Sequence, residues 1–244
     1  MAIPRFILRC VVALLLFGLA TMEARSAESV GVVTNVANQA SVGAEPAAVG
    51  TIVRMNDTLR TGPQARLQVT FRDRSELSLG ENATVVVDRF VFDPDAGIGE
   101  SALNATRGAF RFATGRISSM GQKSITVKTP VAALAVRGTD FWGGPIDGQY
   151  GVLLVSNSAV SVKNRDCAVL LTKANWGTDI SRRRDDDDCP GTPYEWPPDK
   201  IARALSQTAA SVISVNPGIL APLVPVIPFT GIVPESPPFI PISP

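Results

Sequence analysis

The stretch from Ile125 to Trp142, ITVKTPVAALAVRGTDFW, does most to restrict the folds open to this chain. Ile125 and Val127 alternate with Thr126 and Lys128, a period of two that places one set of side chains on a buried face. Pro130 has no N–H to give to a ladder and holds Thr129 extended, so the strand must end in a corner. A second apolar run, Val131, Leu134 and Val136, leads into Arg137-Gly138-Thr139-Asp140-Phe141, with Gly138 where a backbone bend would exclude a β-carbon. Strand, corner, strand, bend and aromatic plug predict a tight β unit about which the domain is organised.

The flanking sequence repeats the pattern. Ser29 to Val42 alternates about an Asn-rich bend, a candidate hairpin or solenoid corner. Leu67, Val69 and Phe71 face one way, the Asp73-Arg74 turn reverses the chain, and Leu77 and Leu79 return to the same side. Thr84 to Phe92 continues with Val85, Val87 and Phe90 inward, whereas 93–109, rich in Gly, Asp and Ala, reads as a loop. Ala109 to Ile117 resumes with Phe110 and Phe112 inward and Arg111 outward. Beyond the organising stretch, Tyr150 to Val155 and Ala159 to Val162 predict a hairpin about 156–158, and Ala168 to Leu171 a last strand. Short strands every 8 to 12 residues predict an all-β domain over 29–172, either a β-sandwich or a β-solenoid-like stack of short antiparallel strands.

Both ends differ from this middle. Arg5 and Arg9 precede an 11-residue apolar run, Cys10 to Ala20, and Ala24 and Ser26 then have the spacing of a signal-peptidase site, predicting a secretory signal over 1–26 cut before Ala27. A bilayer span needs about 20 apolar residues, so the reading is export without a transmembrane helix. Cys167 and Cys189 remain and predict a disulfide in an oxidising compartment, closing a charged loop over 173–198 that holds SRRRDDDD. Asp199 is placed to cap a short helix over 199–213, with Ile201 and Leu205 on its apolar stripe and Trp196 packed nearby. The last 28 residues carry nine prolines, so 214–244 predicts an extended, disordered tail.

Composition narrows the chemistry. Histidine is absent, which removes the commonest general base, the commonest metal ligand and every imidazole-dependent nucleophilic arrangement. Twenty-three basic and 22 acidic side chains leave no global field for nucleic acid. Asp93 and Asp95 flank Pro94 but lack the further carboxylates of a calcium loop, and Asp185 to Asp188 read as a solvated tip beside three arginines. No cofactor or metal site is predicted.

Thr129-Pro130 followed by AVRGTDF, together with NDTLRTGPQARLQVTFRDRSELSL at Asn56 to Leu79, resembles the FecR domain, the periplasmic signalling module of iron-uptake anti-sigma regulators and of many exported proteins. The resemblance spans roughly Val30 to Leu171. Asn56 and Arg74 stand where the family commonly has a turn glycine; asparagine tolerates the left-handed conformation better than arginine does. The resemblance tilts the architecture toward the solenoid and implies protein recognition. Thr129, Pro130, Arg137, Gly138, Thr139, Asp140 and Phe141 are read as architecture, with Arg137 and Asp140 bonded to backbone or to each other across the Gly138 bend.

Only a signal precedes the β domain in this reading, with no room for a cytoplasmic sigma-binding part. The expectation is a periplasmic or secreted, non-enzymatic module that engages a protein or cell-envelope component. The alternative is a carboxylate-dependent hydrolase or lyase of envelope polysaccharide using Asp93/Asp95 or Asp140/Asp147, which needs no histidine.

Overall fold

The structure, a computed structural model, describes residues 28–209 apart from 157, 166 and 182–188. The expected signal at 1–26, the aspartate run at 185–188 and the proline-rich tail at 214–244 lie outside the described residues.

In chain order the strands are β1 (Ser29–Ala37), β2 (Ala40–Val42), β3 (Glu45–Pro46), β4 (Ile52–Arg54), β5 (Thr58–Thr61), β6 (Arg66–Phe71), β7 (Glu76–Leu79), β8 (Thr84–Asp93) and β9 (Ile98–Arg107). They continue as β10 (Phe110–Ala113), β11 (Gln122–Lys128), β12 (Ala133–Val136), β13 (Asp140–Ile146), β14 (Gln149–Leu154), β15 (Val160–Asn164), β16 (Cys167–Leu171), β17 (Trp176–Ile180) and β18 (Tyr194–Glu195). A 3-10 turn at Arg116–Ser119 precedes β11, and helix α1 (Pro198–Ser206) follows β18.

These strands form two nine-stranded sheets. The first runs β18-β17-β14-β13-β10-β7-β6-β1-β4 and the second β16-β15-β12-β11-β9-β8-β5-β2-β3. Apart from the two pairs at the N-terminal edge, each order follows the chain. The polypeptide lays one or two strands in one sheet, crosses to the other, and advances along both together. Sandwich and solenoid are therefore two descriptions of one all-β arrangement. The bend at Asn38, with φ of 59°, carries the chain from β1 in the first sheet to β2 in the second, so it is a corner rather than a hairpin.

The pairs are antiparallel with one exception, β11 beside β9. Parallel neighbours need a crossover of about a dozen residues or more. Here residues 108–121 supply it, passing through the first sheet as β10 and returning by the 3-10 turn.

Alternation fixes what each sheet buries. Leu67 pairs with Leu79 and Val69 with Leu77, and all four face the shared core, so the β6–β7 hairpin has the expected register. In β8 a register irregularity between Val87 and Arg89 shifts the inward face, so Val85, Val87 and Phe90 all point to the core. Phe71 stacks on Phe90 across the two sheets with centroids 5.4 Å apart, and Phe110, Phe112 and Phe141 extend the cluster through edge-to-face contacts at 5.8 and 6.3 Å. Such pairs add about 0.5–1.5 kcal/mol each beyond the area they bury.

Several expectations need correction. The interval 93–109 is not a loop: residues 98–107 form β9, which pairs along the whole length of β8. Its inward positions are Gly99, Ser101, Leu103 and Ala105, of which only Leu103 is large; the 3-10 turn packs on Gly99, where a β-carbon would stand 2.5 Å from Met120 Sδ. The period was carried by size rather than hydropathy. Residues 156–158 do not close a hairpin either, since β14 belongs to the first sheet and β15 to the second. Within 173–198, read as loop, β17 extends the first sheet by pairing with β14. The helix begins at Pro198, and Asp199 does not cap it; its carboxylate accepts from Arg203 one turn on, at 2.5 Å, and Arg203 also reaches Asp147 at 3.0 Å.

The helix covers the outer face of the first sheet. Trp142, Leu153 and Ile146 form a second apolar cluster there with Trp196 and Ala204, and Ile201 and Leu205 pack against it. Trp196 lies on two glycines: β-carbons at Gly151 and Gly177 would meet its indole at 2.6 and 2.5 Å. Beside it Lys200, 8% exposed, donates to both carboxylate oxygens of Asp179 at 2.9 and 2.8 Å and to Tyr194 Oη at 2.9 Å. Its ammonium also sits 4.2 Å from the Trp196 ring centroid. A cation and an anion taken from water together in this way are costly to separate, about 3–5 kcal/mol when one partner is removed.

Burial lowers the Lys200 pKa and is its largest single influence, but the hydrogen bonds to Asp179 and Tyr194 outweigh it and the net shift is upward. Burial likewise raises the Tyr194 phenol. Both folded values lie above the unfolded ones, so their stabilisation is complete below about pH 10 and is lost as pH rises through the folded values. Urea unfolding at pH 8 and pH 11 should show a lower midpoint at the higher pH, and the difference should shrink in Lys200→Met and in Tyr194→Phe. An alkaline loss of equal size in both variants would show that other groups carry it.

Candidate functional site

Asp73 and Ser75 are about 1% exposed in the turn between β6 and β7. A buried carboxylate must be hydrogen-bonded, and Asp73 accepts from Ser75 N at 3.0 Å, Ser75 Oγ at 2.5 Å and, across 44 residues, Ile117 N at 3.3 Å. Its carbonyl accepts from Arg116 N at 2.7 Å. Arg74 holds φ of 67° between them, so the turn expected to favour glycine is made with arginine. Asn56 likewise has φ of 68°. Gly115 lies against this turn so closely that a β-carbon would be 2.3 Å from Asp73 O and Ser75 N. The β6–β7 turn and the 3-10 turn are thereby locked backbone to backbone.

The organising stretch docks on the same turn. Thr129 builds the corner: its hydroxyl accepts from Ala132 N at 3.0 Å and donates to Ala132 O at 2.8 Å, with exposed Pro130 between β11 and β12. Gly138 has φ of 68° and faces Ser118, whose Cβ would be 3.0 Å from an added β-carbon. Thr139 is buried and donates to Ser156 O at 3.1 Å, and Phe141 is fully buried among the core phenylalanines.

Arg137 and Asp140 do not meet. Arg137 is exposed, and its carbonyl accepts from Ser158 Oγ. Asp140 instead takes a two-point contact from Arg111 on the adjacent β10, Nε to Oδ1 at 2.9 Å and a terminal nitrogen to Oδ2 at 2.5 Å. Hydrogen bonding to Asp140 raises the Arg111 pKa further above its ordinary value, so the guanidinium stays charged. The registers explain the choice. Ala113 lies opposite Asp140 and Arg111 opposite Trp142, so Arg111 and Asp140 are diagonal neighbours on the outward face while Phe112 and Phe141 pair inward. Arg111 as a partner was missed because strand adjacency is not written in either segment; its signal was the shared Phe-inward, polar-outward alternation.

The acidic pairs invoked for hydrolysis are separately occupied. Asp140 and Asp147 bracket β13, on the order of 20 Å apart at about 3.3 Å per residue, and Asp147 is paired to Arg203 at 3.0 Å. Glycosidase carboxylates stand about 5–10 Å apart. Asp93 Oδ1 accepts from Ala96 N at 3.0 Å, a local side-chain-to-backbone bond across the Asp93-Pro94 turn. Among the described residues no three His, Cys, Asp or Glu side chains gather as a metal site, and no helix is long and apolar enough to cross a membrane. Cys167, at the head of β16, and Cys189 are joined in a disulfide, with Cα atoms 5.5 Å apart.

Residues 57–161 match the family model described as FecR protein. Over that interval, 105 of the 244 residues, the sequence is similar to the FecR domain. That interval runs from the turn before β5 to the start of β15 and contains the Asp73 turn, the 3-10 turn and the Gly138 bend. No curated protein matches the sequence. Two crystal structures of a candidate anti-sigma factor from Parabacteroides distasonis ATCC 8503 are similar. One is 16% identical with a TM-score of 0.48, covering 61% of this chain and 63% of the other; the second is 17% identical with a TM-score of 0.46, covering 61% and 64%. The chain thus spans a little under two thirds of the solved chains it matches.

Replacing Gly138 with valine should destabilise the β domain, by about 1–3 kcal/mol from the left-handed backbone alone and more from the contact with Ser118. Gly138→Asn, which tolerates that backbone, should retain more of the stability. Thermal unfolding followed by circular dichroism reads both, and an unchanged midpoint in the valine variant would show that the bend is not required.

Proposed function

We propose that this chain is an exported, non-enzymatic module that binds or senses a protein or cell-envelope component through its FecR domain. The observation that carries the reading is the match of residues 57–161 to that family, in a fold whose motif side chains are spent on internal bonds. Asp140 answers Arg111, Asp73 answers the 3-10 turn, and Phe141 fills the core, so the motif builds a scaffold and leaves its exposed faces for recognition. The disulfide from Cys167 to Cys189 supports an oxidising compartment outside the cytoplasm. In this reading residues 1–26 direct export and are removed before Ala27, and 214–244 form an extended tail that the binding does not require.

The test is retention from envelope extract by the purified chain, with and without residues 214–244, after fractionation of cells expressing the chain from Met1. The expected result is a periplasmic or secreted protein beginning at Ala27 that retains one partner in both forms and leaves a panel of envelope glycans uncut. Cytoplasmic residence, or glycan cleavage lost in Asp140→Asn, would overturn the reading.

A further inference from the structure

The two sheets differ in what lies on their outer faces. In the C-terminal half the first is covered by Trp196 and α1, whereas no described helix or strand covers the second over β11, β12, β15 and β16. The inward residues there, Ile125, Val127, Leu134, Val136, Val160, Val162 and Leu171, belong to the core, so their neighbours face solvent. Register aligns Thr126 with Ala135, Ala135 with Ser161 and Ser161 with Leu170. Clefts of about 480 and 470 Å³ open on this face and share Ala135 and Arg137, so they run together across the strands. At strand spacings of about 4.8 Å the combined trough is on the order of 15 Å long.

Among the described residues its charge has one sign. In the neighbouring row Lys128 lies opposite Ala133 and Ala133 opposite Lys163, which puts the two lysines about 10 Å apart. Arg137 stands further along β12's line. Lys128, Lys163 and Arg137 are exposed and have no ion-pair partner among the described residues. The acid on the adjoining strand, Glu100, is taken by Arg89 at 2.5 Å.

Resting on the reading of the chain as a binding module, the geometry points to this trough as a docking site for an acidic polysaccharide. Three cations around a floor that carries the Thr126 and Ser161 hydroxyls complement a polymer bearing both carboxylates and hydroxyls. An added peptide strand would pair along β16, the terminal strand at one end of the trough, whereas across the floor β11, β12 and β15 each have neighbours on both sides and offer no main-chain ladder. Leu170, 57% exposed, is the exposed large apolar side chain in a lining whose Ile125 and Val136 are buried, too little for insertion into a bilayer.

The experiment is titration of fluorescein-labelled polygalacturonate oligomers with the purified, disulfide-intact chain. Neutral dextran, poly-aspartate and anionic phospholipid vesicles are run beside them. Polygalacturonate should bind, with affinity falling about tenfold or more between 50 and 300 mM salt as counterion release dictates. The triple variant Lys128→Gln, Arg137→Gln, Lys163→Gln should bind at least about tenfold more weakly. Ala135→Trp, which fills the trough without changing charge, should weaken binding similarly, both with unchanged melting temperature. Absent binding by the native chain, undiminished binding by either variant, or equal or tighter binding of poly-aspartate or vesicles would each overturn the assignment. If the envelope retention test succeeds while polygalacturonate is ignored, the surface is wrong and the binding-module reading stands.

Discussion

The structure turns on a buried carboxylate that has to find donors. Asp73 sits in a hairpin turn where water cannot reach it, and a bare carboxylate there would cost several kcal/mol. Three donors satisfy it, one of them from the 3-10 turn at Arg116–Ser119. That turn is where the two sheets are held together. Ile117, fully buried, packs on Gly99 of the second sheet; Gly115 presses on the β6–β7 turn of the first; Ser118 meets Gly138, and Ser118 O accepts from Lys123 at 2.5 Å. The stretch from Ile125 to Trp142 is organised, but by the eight or so residues ahead of it.

The 3-10 turn also explains the parallel pair. Elsewhere a strand folds back on its predecessor or reverses direction as it changes sheet. After β9 the chain passes through β10, makes the 3-10 turn and returns beside β9 in the same direction. Seven register pairs hold β11 to β9, and the contacts at the corner between β10 and β11 bring it there. Gly115 and Gly99 permit the approach because neither has a β-carbon, and Asp73 supplies the directional bonds.

The outer faces then diverge in role. Phe141 and Trp142 are adjacent in sequence and, by the pleat, point to opposite sides of the first sheet, one into the shared phenylalanine cluster and one under α1. Trp196 can lie flat there because Gly151 and Gly177 clear the space beneath it, and Lys200 is held over its ring by Asp179. The second sheet has small residues in the corresponding place, and Lys128, Arg137 and Lys163 there have no ion-pair partner among the described residues.

Sequence alone determined the elements whose period was written in hydropathy. Leu67 to Leu79 and Ile125 to Val136 alternate large apolar with polar side chains, and their inward faces, the Thr129-Pro130 corner and the all-β class followed from the pleat and from proline's missing N–H. The FecR resemblance was likewise carried by local motifs. Tertiary structure decided the rest, because it depends on which strands become neighbours. Whether residues 156–158 close a hairpin or cross between sheets is a matter of where the next strand finds a partner. So is the choice of Arg111 over Arg137 for Asp140, fixed by a diagonal across β10 and β13 that neither segment encodes. β9 was hidden for a related reason. Gly99, Ser101 and Ala105 bury no large apolar surface of their own, and Gly99 is covered by Ile117 and Met120, which arrive from elsewhere in the chain.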